Sequence, residues 1–382
     1  MSKGKLSICL DGRAIINKNT GIGRYIYSLI EAILAVDTQN QYTLLVNSRL
    51  SSTHPVHQLD FSNLEIRIVN VAEVSVGQQF LLPIKLANSA FDIFHYPNFD
   101  LPVCVPFKSL MTIHDLTYVK HRDIYHTGRL LKNLYTRQII NLGIRRARKI
   151  IAVSKSTRDD LIELFNVHEE KIEVIYESIP GNMHLNFRPE PKCKLSTPYD
   201  GFENVEQYFL FVGERRPHKN LVRLIEAFAL FKKNNPGNIK LVIGGKPYAD
   251  YREPERKAED LGVTKDVLFI GYVEDQDLAA LYQNALTFVF VSIYEGFGIP
   301  ILEAMACGTP VITGNISSMP EIAGDAALTI DPFNVQEISQ AMLDVTRNAT
   351  LRRQLIEKGL KRAAQFSWEK AAESTVRLYE TI

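Results

Sequence analysis

The stretch TFVFVSIYEGFGIPILEAMACGTPVIT, residues 287–313, decides how the chain is to be read. It opens on an apolar, β-branched and aromatic run at 287–291 and closes on another at 310–313. Between them lie a Gly-rich turn (Gly296, Gly298) and a helix-like run at 300–307. Pro300 suits the first turn of a helix, where a missing N–H is harmless. Strand, turn, helix and strand in some 27 residues make a βαβ unit, and such units build parallel sheets.

The same rhythm extends in both directions. Strand-like runs lie at 6–10, 42–46, 64–69, 93–95, 110–113, 149–153 and 172–175, then at 208–212, 240–243, 267–270 and 328–330. Helix-like runs lie at 24–36, 130–147, 221–233, 277–284 and 335–347. Between 179 and 206 the rhythm breaks on Pro180, Gly181, Pro189, Pro191, Pro198 and Gly201, a composition that reads as a linker. The expectation is therefore two doubly wound α/β domains, 1–180 and 207–366, joined by a linker at 181–206. A last amphipathic helix, 367–382, is capped by Ser367. A chain of 382 residues is long enough for two such cores.

Composition removes several classes. A net charge of +1 is too small for a protein that tracks nucleic-acid phosphates. No apolar run approaches the ~18–20 residues that cross a bilayer, and 1–5 lead straight into a strand without a signal segment, so a cytoplasmic location is expected. Cys9, Cys104, Cys193 and Cys307 form no CxxC pair and read as buried reduced thiols.

In doubly wound sheets ligands bind beyond the carboxyl ends of the strands, so the motifs there carry the chemistry. Glu295 stands at the end of the 287–291 run, and Glu303 lies eight residues later in an apolar helix where a solvated glutamate is out of place. The Gly-rich turn offers backbone N–H groups to an anion at a helix N-terminus. Carboxylates beside an anion cradle suit hydroxyls, as on a sugar or a ribose. A second anion site is VGERRPHKN, 212–220, with Arg215, Arg216 and Lys219 ahead of a helix, although a solvated basic loop has the same composition. In the first half, TGIGRY (20–25), Asp11 and Arg13, and TIHDL (112–116) end strands. The His114–Asp115 pair suits a site or a histidine satisfied by backbone. Asp275 and Asp277 form an Asp-x-Asp that could hold a hard cation and reads as the cap and first turn of a helix.

Together, YEGFGIPILEAMACGTPVIT followed by SSMPEIAGDAALTIDP resembles the retaining family 4 glycosyltransferases, mannosyltransferase-like members included, whose mark is two glutamates separated by seven residues. The resemblance implies the GT-B architecture. Two Rossmann-like domains would face a deep cleft, with the acceptor on the first and the nucleotide-sugar on the second. The C-terminal helix would cross back to the first domain. It implies that Glu295 binds hydroxyls of the transferred sugar and Glu303 the ribose. The amides of Gly296, Phe297, Gly298 and Ile299 would hold sugar and phosphate, with Val273 of the GYV turn beside the base. Lys219, with Arg215 or Arg216, would clamp the diphosphate. In the first domain it implies Gly21 and Gly23 at the donor phosphate, His114 near the donor sugar, and Arg13, His95 and Asp115 on the acceptor side.

The function so implied is transfer of a hexose to a saccharide or polyprenyl-linked saccharide acceptor, in polysaccharide or glycoconjugate synthesis. The donor is a nucleotide-sugar, GDP-mannose first and UDP-sugars next, and no metal or other cofactor is implied. A non-catalytic sugar- or nucleotide-binding protein shares this fold; a dehydrogenase ranks last for want of GxGxxG. The basic run Arg129, Lys132, Arg137, Arg145, Arg146, Arg148 and Lys149 is either a solvated face or a surface for anionic headgroups at the inner membrane.

Overall fold

The computed structural model describes residues 4–16, 21–121, 130–179, 196, 199, 201–202, 205–235, 237–248 and 251–382, with no side-chain description at 130–134. The chain divides into two compact units, Met1–Glu177 with Ser367–Ile382, and Ser178–Phe366.

The first unit holds seven strands: β1 (Ser7–Asp11), β2 (Gln41–Val46), β3 (Leu64–Ile68), β4 (Ile93–Tyr96), β5 (Lys108–Ile113), β6 (Lys149–Ala152) and β7 (Ile172–Val174). They form one parallel sheet in the order 3-2-1-4-5-6-7. Successive side chains of a strand point to opposite faces, and both faces here are apolar. Ile8 and Leu10 lie in one core with α1 (Gly21–Val36), while Cys9 lies in the other with α2 (Val76–Leu86), α4 (Leu130–Arg146) and α5 (Lys155–Phe165). The short α3 spans Thr117–Lys120. Ser154 caps α5 through the amide of Thr157.

The second unit repeats the plan. Its strands are β8 (Gln207–Val212), β9 (Ile239–Gly244), β10 (Val267–Gly271), β11 (Thr287–Phe290), β12 (Val311–Gly314) and β13 (Leu328–Ile330), parallel in the order 10-9-8-11-12-13. The helices are α6 (Leu221–Asn234), α7 (Glu253–Asp260), α8 (Asp275–Asn284), α9 (Ile299–Ala306), α10 (Met319–Ala323), α11 (Val335–Arg347) and α12 (Ala349–Ala363). The sequence reading did not separate α2, α7 and α12. They carry few apolar residues or, in α2, an exposed apolar face.

The chain returns to the first unit in α13 (Trp368–Tyr379), capped by Ser367. Its Ala371, Ala372, Leu378 and Tyr379 join the α1 side of the first core. Lys108 Nζ donates to the Ile382 carbonyl at 2.8 Å.

Two expectations need correction. The 181–206 stretch is largely outside the described residues, Cys193 and most of its prolines included, but Tyr199 within it is buried. Asp277 is fully buried and accepts from the Ser196 amide at 2.6 Å and from Tyr199 Oη at 3.1 Å. Asp277 is therefore held by the preceding segment, and Glu274 occupies the cap position of α8. Cys104 is exposed, whereas Cys9 and Cys307 are buried. Cys104 lies between strands, where no sheet covers it.

Candidate active site

In the second sheet the order reverses between β8 and β11, the switch point where loops part and leave a crevice. The two loops there carry the sequence motifs. Asn220 joins them. Its Nδ2 donates to the carbonyls of Val291 (3.0 Å) and Pro332 (2.7 Å), and its backbone sits in the left-handed region at φ 62°. The His218 carbonyl accepts from the Ile293 amide at 2.8 Å.

This stapling brings Lys219 and Glu295 together. Lys219 Nζ donates to Glu295 Oε1 at 2.6 Å, and it lies 5.2 Å from the ring centre of Phe290 below it. Both side chains keep a little exposure, 14% and 12%. Ser317 and Ser318 shape the turn from beneath. Ser317 Oγ accepts from the Glu295 amide and donates to its carbonyl, and Ser318 Oγ donates to the carbonyls of Glu295 and Phe297. With these carbonyls occupied, the turn rises into α9, whose first turn has no side-chain cap. Gly298 begins it at φ 105°, a conformation that side chains rarely adopt. The positive end of α9 thus begins four residues after Glu295.

Glu303 is 4% exposed, and its Oε2 accepts from Tyr282 Oη of α8 at 2.9 Å. Nothing in the sequence around Tyr282 marks it, because the contact joins helices 21 positions apart.

Beside this, β8 and β9 are each followed by a glycine of positive φ, Gly213 and Gly245, and β10 ends on one, Gly271. A Cβ on Gly245 would come within 1.9 Å of the Gly213 carbonyl oxygen, so the strand ends close up only as bare backbone. Val273 is buried next to this shelf, and Lys246 lies over the Tyr272 ring. The two arginines separate. Arg215 is buried, donates to Glu255 Oε1 at 2.6 Å and stacks over Phe269; its Nε has no partner. Arg216 is half-buried, pairs with Glu214 and lies over Tyr248.

In the first unit the residues distribute differently. Gly21 begins α1, exposed and with open space around it, and Gly23 is buried two residues on; Thr20 lies outside the described residues. His114 Nδ1 donates to Glu177 Oε1 at 2.8 Å, Tyr25 meets its ring edge-on at 4.5 Å, and its Nε2 is buried with no partner. Asp115 is exposed and accepts from the Thr117 amide two residues on.

Arg13 and His95 do not face a ligand. Arg13 is fully buried and forked onto Asp11, with further bonds to the Val71 carbonyl and Gln78. Asp11 is equally enclosed. Burial pulls the Arg13 guanidinium down and the Asp11 charge raises it, for a net rise. His95 is fully buried, and its two nitrogens meet Tyr379 Oη (2.7 Å) and Thr112 Oγ1 (2.9 Å). Burial first, then the charge of His114, lowers its pKa to about 3, so it is neutral. Both residues stand at strand ends, as the sequence has it, but their side chains enter the core.

The family model described as glycosyl transferases group 1 matches residues 200–362, and the one described as Glycosyltransferase Family 4 matches residues 19–180. The chain is 31% identical over 297 residues to O-antigen chain mannosyltransferase B of Escherichia coli, covering 76% of this chain and 74% of the relative. It is 28% identical over 316 residues to the serotype-specific mannosyltransferase WbdA of Escherichia coli, covering 79% of this chain but only 38% of that longer protein. Among solved structures it resembles sucrose-phosphate synthase from Thermosynechococcus elongatus, at 19% identity and TM-score 0.76, with 99% of each chain covered.

Proposed function

We propose that this chain, which belongs to the glycosyltransferases of group 1 and family 4, moves a mannosyl residue from a nucleotide-sugar, GDP-mannose first among the candidates, to a saccharide or lipid-linked saccharide acceptor of a cell-surface polysaccharide. The observation that carries the reading is the Lys219–Glu295 pair on the turn that leads into α9, whose start has no side-chain cap, with Glu303 inside that helix. The mannosyl choice and the polysaccharide context rest on the mannosyltransferases to which the chain is similar.

The residues divide the work by charge. As the bond from the sugar C1 to the phosphate oxygen lengthens, positive charge gathers on the sugar and negative charge on the leaving diphosphate. Lys219 and the positive end of α9 stabilise the latter, an effect that grows along the reaction and so lowers the barrier. Glu295 accepts from hydroxyls of the transferred sugar, and Glu303 from the ribose. The acceptor oxygen bonds to C1 on the face that the diphosphate leaves, retaining configuration, and its proton passes to the departing phosphate oxygen. Of the two arginines, Arg215 has the buried place beside the strand ends, and its unpartnered Nε is the group to offer the diphosphate. With the charge met by cations of the chain, transfer proceeds without a divalent metal, and activity unaffected by a chelator is the check.

The direct test is ligand stabilisation. GDP, UDP, ADP and dTDP are compared by thermal shift, a ligand at ~100 times its dissociation constant adding about 2.7 kcal/mol. GDP as the only stabiliser, followed by transfer from GDP-mannose, supports the reading; stabilisation by UDP alone overturns the donor.

A peripheral contact with the cytoplasmic face of a membrane is part of the proposal, with its place revised. Among the described residues no helix is long and apolar enough to cross a membrane. Arg129 lies outside the described residues, as does the side chain of Lys132. Arg146 is engaged by the carbonyls of Val103, Val105 and Phe107. Yet α2 and α4, on one face of the first sheet, contain no Asp or Glu. They expose Val76, Phe80, Leu81, Ile84, Tyr135 and Leu142 beside Lys85 and Arg145, a composition suited to an anionic bilayer surface. Equal recovery on anionic and zwitterionic vesicles would count against it.

A further inference from the structure

We propose that Glu177 is a positioning residue for His114. It holds the imidazole in the tautomer that carries its proton on Nδ1, so that Nε2 presents a lone pair to a sugar hydroxyl at the carboxyl edge of the first sheet. The proposal rests on the glycosyl-transfer reading above for the identity of that hydroxyl, and on geometry for the rest.

An ionised carboxylate only accepts hydrogen bonds, so the 2.8 Å contact from Nδ1 to Glu177 Oε1 assigns the proton to Nδ1. Glu177 is 8% exposed, so little water competes for its oxygens. Nε2 is then an acceptor, and it is buried without a partner. A buried polar atom left without a hydrogen bond is destabilising, and in a folded protein it calls for a reason. His95 supplies the contrast within the same unit, since both of its nitrogens are bonded. The fold satisfies the histidine of β4 and leaves one nitrogen of the histidine after β5 to be satisfied by something else.

The groups around the ring leave that role to Nε2. Tyr25 of α1 meets the ring by its edge and is braced by Trp368 of α13 at 5.6 Å. Burial raises the Tyr25 phenol, with a further rise from Glu177, so it stays neutral. His95 from β4 is neutral, and the exposed Asp115 is turned to the Thr117 amide. Glu177 is thus the charged group bonded to the imidazole. It is also the last residue of the first unit before the chain passes to Ser178. Sequence reading missed it because 63 positions separate it from His114.

The test uses the full-length protein with Glu177→Gln and Glu177→Ala. The amide carbonyl of Gln still accepts from Nδ1–H, whereas Ala removes the acceptor. Nitrogen NMR of the imidazole without donor reads the tautomer directly. The wild type and Glu177→Gln are expected in the Nδ1–H form, and Glu177→Ala shifted toward Nε2–H. Turnover should fall about tenfold or more in Glu177→Ala, with donor KM moving less, and stay within about threefold in Glu177→Gln. An unchanged tautomer in Glu177→Ala overturns the proposal, as does an equal loss of turnover in both variants without a tautomer change. A wild-type chain that transfers no sugar would overturn the functional reading instead, and the donor-free spectra would still decide the tautomer.

Discussion

Lys219 and Glu295 are bonded to each other at 2.6 Å, the cation proposed to meet phosphate and the carboxylate proposed to meet sugar hydroxyls. Each holds the other, so the pair neutralises two charges that would otherwise stand largely buried and alone. In the proposed reaction Lys219 exchanges a carboxylate for a diphosphate whose charge increases as the bond breaks. Lys219→Ala is expected to lower turnover by about 10²–10³-fold while raising donor KM much less. Steady-state kinetics decides; a rise in KM alone would remove the leaving-group role. The same variant should be less stable by on the order of 1–3 kcal/mol, with Glu295→Gln restoring part of the loss.

Glu303 and Tyr282 form a similar dependence. Glu303→Ala is expected to weaken binding of the bare nucleoside diphosphate by about 1.5–3 kcal/mol, the usual value of a hydrogen bond to a charged group. Tyr282→Phe frees one carboxylate oxygen without removing the charge, and a smaller loss of about 0.5–1.5 kcal/mol is expected. Calorimetry measures both. Unchanged affinity in Glu303→Ala would take the residue out of the nucleotide site.

Glu73 gives a pH signature. It follows β3 close to the enclosed Arg13–Asp11 pair, and its pKa rises from 4.5 to about 7, through burial first and then the charges of Asp11 and Asp100. An acid whose folded pKa exceeds its unfolded pKa binds more protons folded than unfolded. Stability from this group is therefore lost as pH rises through the window from 4.5 to about 7. Glu73→Gln should melt close to the wild type at the acid end of that window and above it at pH values beyond the window. A melting difference independent of pH would show that Glu73 is ionised throughout.

The sequence made the sheet legible to within a residue or two at most strand ends, because apolar runs bounded by Gly and polar turns have little alternative once they alternate with amphipathic runs. Glu295, Glu303 and Lys219 were legible because each interrupts a local pattern: a carboxylate in an apolar helix, a cation ahead of one. Arg13 and His95 mark the limit. Position at a strand end is written in the sequence, but whether the side chain turns outward or into the core depends on Gln78, Thr112 and Tyr379, which are far away in the chain. Glu177, Tyr282, Ser317 and Ser318 went unread for the same reason, since each acts through a contact that only the fold creates.

The return of the chain through α13 yields the last expectation. Tyr379 is 1% exposed, packs with Ala372 and Leu378 in the core shared with α1, and bonds His95 through its hydroxyl at 2.7 Å. Removing only that hydroxyl, in Tyr379→Phe, leaves a neutral buried imidazole nitrogen without a partner, for which a loss of about 1–3 kcal/mol is expected. Tyr379→Ala adds a cavity and should lose about 3–5 kcal/mol. Truncation after Phe366 removes the whole apolar face of α13 and exposes Ile26, Leu29 and Ile30 of α1. Hydrogen exchange should then quicken in β1, α1 and β4 of the first unit, while β11 and β12 of the second keep their protection. An apolar helix face must be covered by something, and here it covers a sheet more than 270 residues earlier in the chain. Exchange in β1 and α1 that is indifferent to the truncation would mean that α13 rests on the first unit without supporting it.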